Sequence, residues 1–384
     1  MDRIERRLLV FAVSSLAFFL GVELGGFNLV LLRVAQSFEL NTGMMGILVT
    51  SQYIAITLAP IAFGGIADRI GKKITLLMFM PLFAAGCFLT ASSGSVLFFV
   101  TGVFIIGIGY SVCESVSSSA LSDTFPGREN RYMNIMQSTF SLGAVVSPLF
   151  FGWLLDRFNY SWSLVFIVPG CGFMLVYPLM FLSGCRRVAP GNPGEKKTNS
   201  MLSILRSSFF IALFFCMLAY VAMETGISYF IDSLLVHEYQ NSALGAWTIS
   251  GFWFAMAFSR IVFASIRMKP RTMVLLGFST SAILLFILFL FRNQWMFFGS
   301  VLCLGFMMGP VWGMVLSTGM SAFQEKSGAV GGILYAGGGF GGIITPVIFG
   351  AVAEKAGFYT GFLLLAFTAA AGFVAMKCRG RNKG

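Results

Sequence analysis

Three glutamates lie deep inside long apolar segments of this sequence, at Glu23, Glu114 and Glu224. A charged side chain in the interior of a lipid bilayer is costly, so an acid at such a position is by default a candidate for function. Burial away from water also favours the protonated form of a carboxyl group. If these segments cross a membrane, the three acids are therefore predicted to take up and release the protons that drive a coupled process.

The spacing of other polar residues supports this interpretation for two of the acids. Tyr220 and Ser228 stand four positions before and after Glu224, and Tyr110 stands four positions before Glu114. Residues four apart share one face of an α-helix, and such a polar face must point toward protein or water. Two alternatives stay open. Each glutamate could be a protonated hydrogen-bonding group between neighbouring helices, or several oxygens could converge to bind sodium.

The composition indicates that these segments do cross a membrane. Of the 384 residues, 57% are hydrophobic and only 11% are charged, whereas a soluble domain carries roughly 25% charged residues. A transmembrane helix needs about 20 apolar residues, and backbone polar groups in lipid must pair within the segment. The predicted fold class is therefore all-α integral membrane, with twelve transmembrane helices. Spans are predicted near residues 8–36, 43–67, 74–92, 95–121, 133–155, 161–184, 207–236, 243–266, 272–291, 295–320, 328–352 and 357–376.

The basic residues predict the orientation of these spans. Most of the 26 lysines and arginines fall in the terminal segments and in every second loop, while only Arg157, Arg292 and Lys355 fall in the loops between. Positive charge accumulates on the cytoplasmic side of membrane proteins. We therefore predict a multi-pass protein of the cell (inner) membrane with both termini in the cytoplasm. The same distribution explains the net charge of +11 without a nucleic acid partner.

Other chemistry is not indicated by the sequence. The seven cysteines include no CxxC pair and form no cluster with the single histidine, His237, which stands at the end of a predicted span. Motifs for zinc hydrolysis (HExxH) and for phosphate binding (GxxxxGK[ST]) are missing. We therefore predict that the chain is not an enzyme and needs no cofactor or metal. Its expected partners are a small-molecule substrate, protons (with sodium ions as the alternative) and membrane lipids. The chain is expected to act as a monomer.

The two halves of the chain repeat each other. Residues 143–157 read GAVVSPLFFGWLLDR and residues 341–355 read GGIITPVIFGAVAEK, so glycines, a proline and an acid–base pair recur at an offset of 198. Internal repeats of this kind are typical of secondary transporters, whose substrate site lies near the middle of the membrane. The predicted domains are an N-terminal six-helix half (1–184), a cytoplasmic linker (185–206) and a C-terminal six-helix half (207–384).

The loop after the second span carries a more specific signature. Residues 64–73 read GGIADRIGKK, which resembles the loop between spans 2 and 3 of the major facilitator superfamily. The resemblance covers the whole chain and implies two pseudo-symmetric six-helix halves that alternate access to a central site. It also implies a conformational gate formed by the loop. The implied gate residues are Gly65, Asp68, Arg69, Gly71, Lys72 and Lys73.

Four segments resemble one branch of that superfamily, the fucose/proton symporter type of sugar transporter: residues 107–115, 134–144, 305–312 and 327–341. In this alignment Glu114 takes the place of the branch's essential acid, and Arg260 that of its span 8 arginine. The span 1 aspartate of the branch is replaced by Asn28, which removes a titratable group. Sugar sites combine amide and hydroxyl groups with an aromatic platform. The predicted substrate-binding residues are Asn28, Asn134, Gln137, Tyr229, Trp312, Tyr335 and Arg260.

The expected function is proton-coupled symport of a sugar-like small polar solute. The alternative is a proton-coupled antiporter that exports drugs or other amphipathic molecules. The stretch around Ser147 and Pro148 resembles the span 5 motif of antiporters, although that motif has Gly-Pro. The basic residue that is typical of antiporters in span 4 is missing here, and Val103 stands near its place.

Overall fold

The computed structural model describes residues 3–125, 129–158, 161–184, 206–266, 268–322 and 327–379. Within these ranges it contains fourteen α-helices and no β-strand. The helices are α1 (Arg3–Ser37), α2 (Thr42–Ile70), α3 (Lys72–Ala91), α4 (Val96–Thr124), α5 (Glu129–Phe158), α6 (Leu164–Leu182), α7 (Ser208–Ser228), α8 (Ile231–Tyr239), α9 (Ser242–Ser265), α10 (Pro270–Leu290), α11 (Gln294–Met308), α12 (Val311–Ala322), α13 (Ser327–Ala356) and α14 (Phe358–Arg379).

These helices make twelve segments that are long and apolar enough to cross a membrane, which confirms the predicted fold class. Two of the segments are interrupted. The seventh, Ser208–Tyr239, consists of α7 and α8, and the tenth, Gln294–Gly319, includes the junction of α11 and α12. Pro310 stands at the second interruption, where its missing N–H cannot continue the helical hydrogen-bond ladder.

The chain divides into two compact units. Unit 1 comprises Met1–Glu39 and Ser51–Asn192, and unit 2 comprises Leu40–Thr50 and Pro193–Gly384. The beginning of α2 thus packs within unit 2, where the Thr50 hydroxyl donates to the Ile343 carbonyl (2.7 Å) and the Gly43 N–H donates to Glu354 (3.0 Å). The predicted linker, except Arg206, lies outside the described residues, so its boundaries stay a prediction.

Corresponding helices pack in the same pattern in each unit. In unit 1, α1 packs on α5 and α6, and α3 packs on α4 and α6. In unit 2, α7 packs on α13 and α14, and α10 packs on α11 and α14. Each unit therefore builds its core from the same helix pairs, as a duplicated sequence requires.

Glycines at equivalent positions of the two units make equivalent helix contacts. A methyl group on Gly143 of α5 would overlap the Phe18 carbonyl of α1, and one on Gly341 of α13 would overlap the Leu218 carbonyl of α7. The paired positions differ by 198 and 200 residues. Helices come this close only where a side chain is missing at the crossing. The glycines of the sequence repeat are therefore packing positions, not a nucleotide-binding loop.

Candidate functional site

A narrow pocket in unit 1 contains one of the predicted coupling acids. Its walls come from α1 (residues 13–20), from Glu114 and Ser117 on α4, and from Met136, Gln137 and Phe140 on α5. The space left at its centre suits about one water molecule. Glu114 is half-buried and belongs to the lining of this pocket.

The neighbours of Glu114 suit either protonation state of its carboxyl group. The side chain of Gln137 hydrogen-bonds to Glu114, and an amide can donate to a carboxylate or accept from a carboxylic acid. Ser117, one turn further along α4, is buried, and its hydroxyl has no hydrogen-bond partner among the described residues. Ser117 stands three residues after Glu114, so helical spacing puts both on one face of α4, and both line this pocket.

Glu23 occupies a different environment in the same unit. Its side chain is fully buried, and its Oε1 accepts a hydrogen bond of 2.9 Å from the Gln52 amide of α2. Within the described part of the chain, its Oε2 has no hydrogen-bond partner. Asn28, on the same helix, is also fully buried, with neither amide atom hydrogen-bonded to a described residue. Neither residue lines the pocket of Glu114.

Unit 2 brings four of the predicted residues together with Tyr220 in one cluster, which we call the Arg260 cluster. Its members are Tyr220 and Glu224 on α7, Arg260 on α9, Trp312 on α12 and Tyr335 on α13. The Tyr220 hydroxyl donates to Glu224 Oε1 (3.2 Å) and also interacts with the Arg260 guanidinium. Arg260 Nε donates to the Gly309 carbonyl at the interruption of the tenth span (3.1 Å). Opposite charges are thus joined through a phenol hydroxyl.

Aromatic rings extend this cluster. The Trp312 ring lies between those of Tyr220 and Tyr335, with centroid distances of 5.8 and 5.1 Å. Gly338 makes room for the indole, because a Cβ there would lie 3.2 Å from Trp312 Cζ3. Trp312 is half-buried and Tyr335 is 56% exposed. Two of the three aromatic residues predicted to bind substrate are therefore partly exposed.

The remaining predicted substrate residues lie elsewhere. Tyr229 is fully buried at the interruption between α7 and α8. The side chain of Asn134 lies outside the described residues. Their roles stay predictions.

The loop predicted to form the gate makes its described contacts inside unit 1. The Lys72 ammonium pairs with the Asp123 carboxylate and donates to the Ser119 carbonyl (3.1 Å), both near the end of α4. Lys73 donates to the Ser183 carbonyl beyond α6 (2.6 Å). Gly71 has a φ of 96°, which disfavours any side chain there.

Of the other predicted gate residues, Arg69 is exposed, whereas the surroundings of Gly65 and of the Asp68 side chain are not described. The structure therefore describes how the lysines anchor the start of α3, whereas gating by this loop stays a prediction.

The Lys72–Asp123 pair gives a testable expectation for stability. Both side chains are partly buried, and removing one partner of such a pair leaves the other uncompensated. Lys72→Gln and Asp123→Asn are each expected to lower the melting temperature of the detergent-purified protein. The double variant is expected to lose less than the sum of the two. Arg157→Gln, which removes an exposed arginine of the same unit, serves as the control. Strict additivity would show that the pair contributes nothing.

Two residues of these sites, Gln52 and Asp123, were not predicted from the sequence. The contact of Tyr220 with both Glu224 and Arg260 was not predicted either. Gln52 is an amide inside an apolar span, which is a usable signal on its own. Tyr220 stands one turn before Glu224, so its contact follows from helical spacing. Asp123 is 51 residues from Lys72 in the chain, and nothing local indicates that pairing. No group of metal-binding side chains occurs in the part of the chain that the structure describes.

Comparison with known proteins agrees with this architecture. A family model described as Major Facilitator Superfamily matches residues 8–331 and, in a second match, 213–382. The multidrug resistance protein MdtL of Klebsiella pneumoniae is 23% identical over 315 residues, which is 79% of this chain and 78% of MdtL. The chloramphenicol resistance protein CraA of Acinetobacter baumannii is 31% identical over 105 residues, only 27% of this chain and 25% of CraA.

Solved structures share the fold over nearly the whole chain. The nucleoside transporter NupG superposes with a TM-score of 0.79 at 13% identity, covering 97% of this chain and 100% of the other. The fucose:proton symporter FucP of E. coli superposes with a TM-score of 0.68 at 18% identity, covering 97% and 98%. At these identities the likeness shows the fold alone.

Proposed function

This chain belongs to the Major Facilitator Superfamily, which makes it a secondary transporter and not an enzyme, and we propose that it couples the movement of a small polar solute to that of protons. The observation that carries the proposal is the placement of Glu114 in the unit 1 pocket beside Gln137 and Ser117. An acid with an amide partner that tolerates both of its protonation states is suited to binding and releasing a proton.

We further propose symport of a sugar-like solute. The resemblance of four segments to the fucose/proton symporter branch supports this class. The amide of Gln137 lies near Glu114, and the indole of Trp312 lies in the same cluster as Glu224. Amide and aromatic side chains of this kind bind sugars. In this proposal Glu114 and Glu224 exchange protons with the solute pathway, and Glu23 holds a proton in the interior of unit 1.

Proton-coupled export of drugs is the second candidate. It is favoured by MdtL, a multidrug resistance protein that aligns with most of the chain. The aromatic content of 15% and the 21 methionines suit an amphipathic substrate, although apolar packing in a bilayer requires the same residues.

Reconstitution into vesicles that enclose a pH-sensitive dye distinguishes the candidates. A panel of sugars, nucleosides, amino acids and lipophilic cations is added outside at equal pH on both sides. For symport we expect one polar solute to acidify the lumen, because solute and proton enter together. A lipophilic compound that makes the lumen alkaline would establish antiport. If solute uptake follows only a sodium gradient, proton coupling is wrong.

The orientation and setting of the protein are also proposals. We propose a monomer in the cell (inner) membrane with both termini in the cytoplasm, as the distribution of basic residues predicts. Labelling of single cysteines introduced near each terminus, with an impermeant reagent on intact cells, tests the orientation. Labelling of either terminus from outside would contradict it.

A further inference from the structure

We propose that the Arg260 cluster binds the carboxylate of a small ring-bearing organic acid, and that this anion binds together with a proton on Glu224. The inference rests on the proposed function, since it names the class of the transported solute. It concerns unit 2 alone.

The first step is the geometry of the cation. Arg260 is half-buried inside a span, and an arginine remains protonated under all ordinary conditions. Its Nε donates to the Gly309 carbonyl, which anchors the guanidinium, and the Tyr220 hydroxyl interacts with the same group. A fixed guanidinium fork is the preferred partner of a carboxylate, which it binds through two parallel hydrogen bonds.

The second step is the charge balance. When Glu224 is ionised, its negative charge offsets the positive charge of Arg260, with the Tyr220 hydroxyl between them. A ligand anion then gains little binding free energy from Arg260. When Glu224 is protonated, the cluster carries one uncompensated positive charge. An anion and a proton therefore each favour binding of the other, and this linkage is reciprocal. A neutral sugar would leave the charge of Arg260 unused.

The charged and titratable groups described around Glu224 are few. Tyr220 on its own helix donates to Glu224, and Arg260 on α9 interacts with the same hydroxyl. The helices α12 and α13, which also pack on α7, contribute Trp312 and, through it, Tyr335. The described charged residues of α13 and α14 lie at the helix ends: Glu354, Lys355 and Lys377.

The third step is the ring of the ligand. Trp312 lies beside Tyr220 and is only half-buried, and Tyr335 is more than half exposed. Trp312 therefore adjoins the tyrosine that interacts with the guanidinium, and an indole face accepts either an aromatic ring or the apolar face of a sugar ring. The shared chemistry is thus a carboxylate attached to a ring, found both in sugar acids and in aromatic acids.

The experiment is calorimetric titration of the purified full-length protein with two matched pairs: galacturonate with galactose, and benzoate with benzamide. Each pair differs mainly in the carboxylate. We expect at least one acid to bind at least about tenfold more tightly than its neutral partner. Its affinity should be lower at pH 8.5 than at pH 6, because in this proposal the anion binds together with a proton and protons are scarcer at the higher pH. The acid that binds identifies the ring class.

Variants assign the effect to the cluster. Arg260→Gln should abolish the preference for the acid, whereas Arg292→Gln, which removes an exposed arginine of the same unit outside the cluster, should retain it. Glu224→Gln, which remains neutral at every pH, should bind the acid with an affinity that no longer depends on pH. Glu238→Gln is the matched control for that change. If Arg260→Gln does not fold, the Glu224→Gln titration alone decides.

The inference is overturned if neither acid binds better than its neutral partner, or if Arg260→Gln keeps the preference. That result leaves the proposed function standing when a neutral solute still carries protons into vesicles. Conversely, acid binding with the expected pattern but without any proton movement would overturn the proposed function and keep the binding site. The two failures are therefore distinguishable.

Discussion

Replacing Glu114 with glutamine is expected to abolish accumulation of solute driven by a pH gradient. The substitution keeps the shape of the side chain and a hydrogen-bonding group for Gln137, but it removes the only titratable group among the residues that line the unit 1 pocket. Exchange of solute across the membrane needs no net proton movement and should survive in part. The measurement is uptake into vesicles with and without an imposed gradient, compared with counterflow under equal pH.

The matched control for this change is Glu238→Gln, which makes the same substitution on α8, outside the pocket. It should accumulate solute as the unaltered protein does. Full gradient-driven uptake by Glu114→Gln would exclude this acid from coupling. Loss of both accumulation and exchange, with intact folding, would instead place Glu114 in substrate binding.

The second large effect is expected at the paired glycines. Gly143→Ala and Gly341→Ala should each destabilise the protein, because a methyl group would overlap a backbone carbonyl of the facing helix in its own unit. Backbone cannot rotate aside as a side chain can, so the helices must separate. Overpacking of this kind costs about 1–3 kcal/mol. The measurement is the melting temperature in detergent, followed by the fraction of monodisperse protein after heating.

Gly299→Ala is the control for these variants. Gly299 lies inside α11, and a Cβ there would meet nothing within 4 Å. Because alanine favours a helix over glycine by about 1 kcal/mol, this variant should be unchanged or slightly more stable. Equal stability of all three variants would contradict the close packing of α1 on α5 and of α7 on α13.

Much of the fold could be predicted from the sequence because lipid imposes simple rules. Apolar length fixed the number of spans, and the offset between residues 143–157 and 341–355 indicated the duplication that Gly143 and Gly341 display as equivalent contacts. The interruptions after Ser228 and Met308 were not predicted. Hydropathy averages over a window and does not register one or two residues that leave the helix.

The sites were predictable to the extent that their residues share a helix. Ser117 beside Glu114 and Tyr220 beside Glu224 follow from spacing alone. Contacts between helices depend on which faces meet, so the Gln52 partner of Glu23 lay beyond sequence reasoning. The gathering of Arg260 with Glu224 was likewise not predicted, although both residues had been singled out separately. Their proximity follows from the Tyr220 hydroxyl, which contacts both Glu224 and Arg260.

The hydrogen bond from Arg260 to the Gly309 carbonyl has a mechanical consequence. Gly309 precedes Pro310, at the joint between the two half-helices of the tenth span. Because Pro310 has no N–H to continue the helical ladder, the joint has less backbone hydrogen bonding than a regular helix, and the side chain of Arg260 ties it to α9. A shift of α9 relative to the tenth span is therefore expected to change the bend of that span at Gly309.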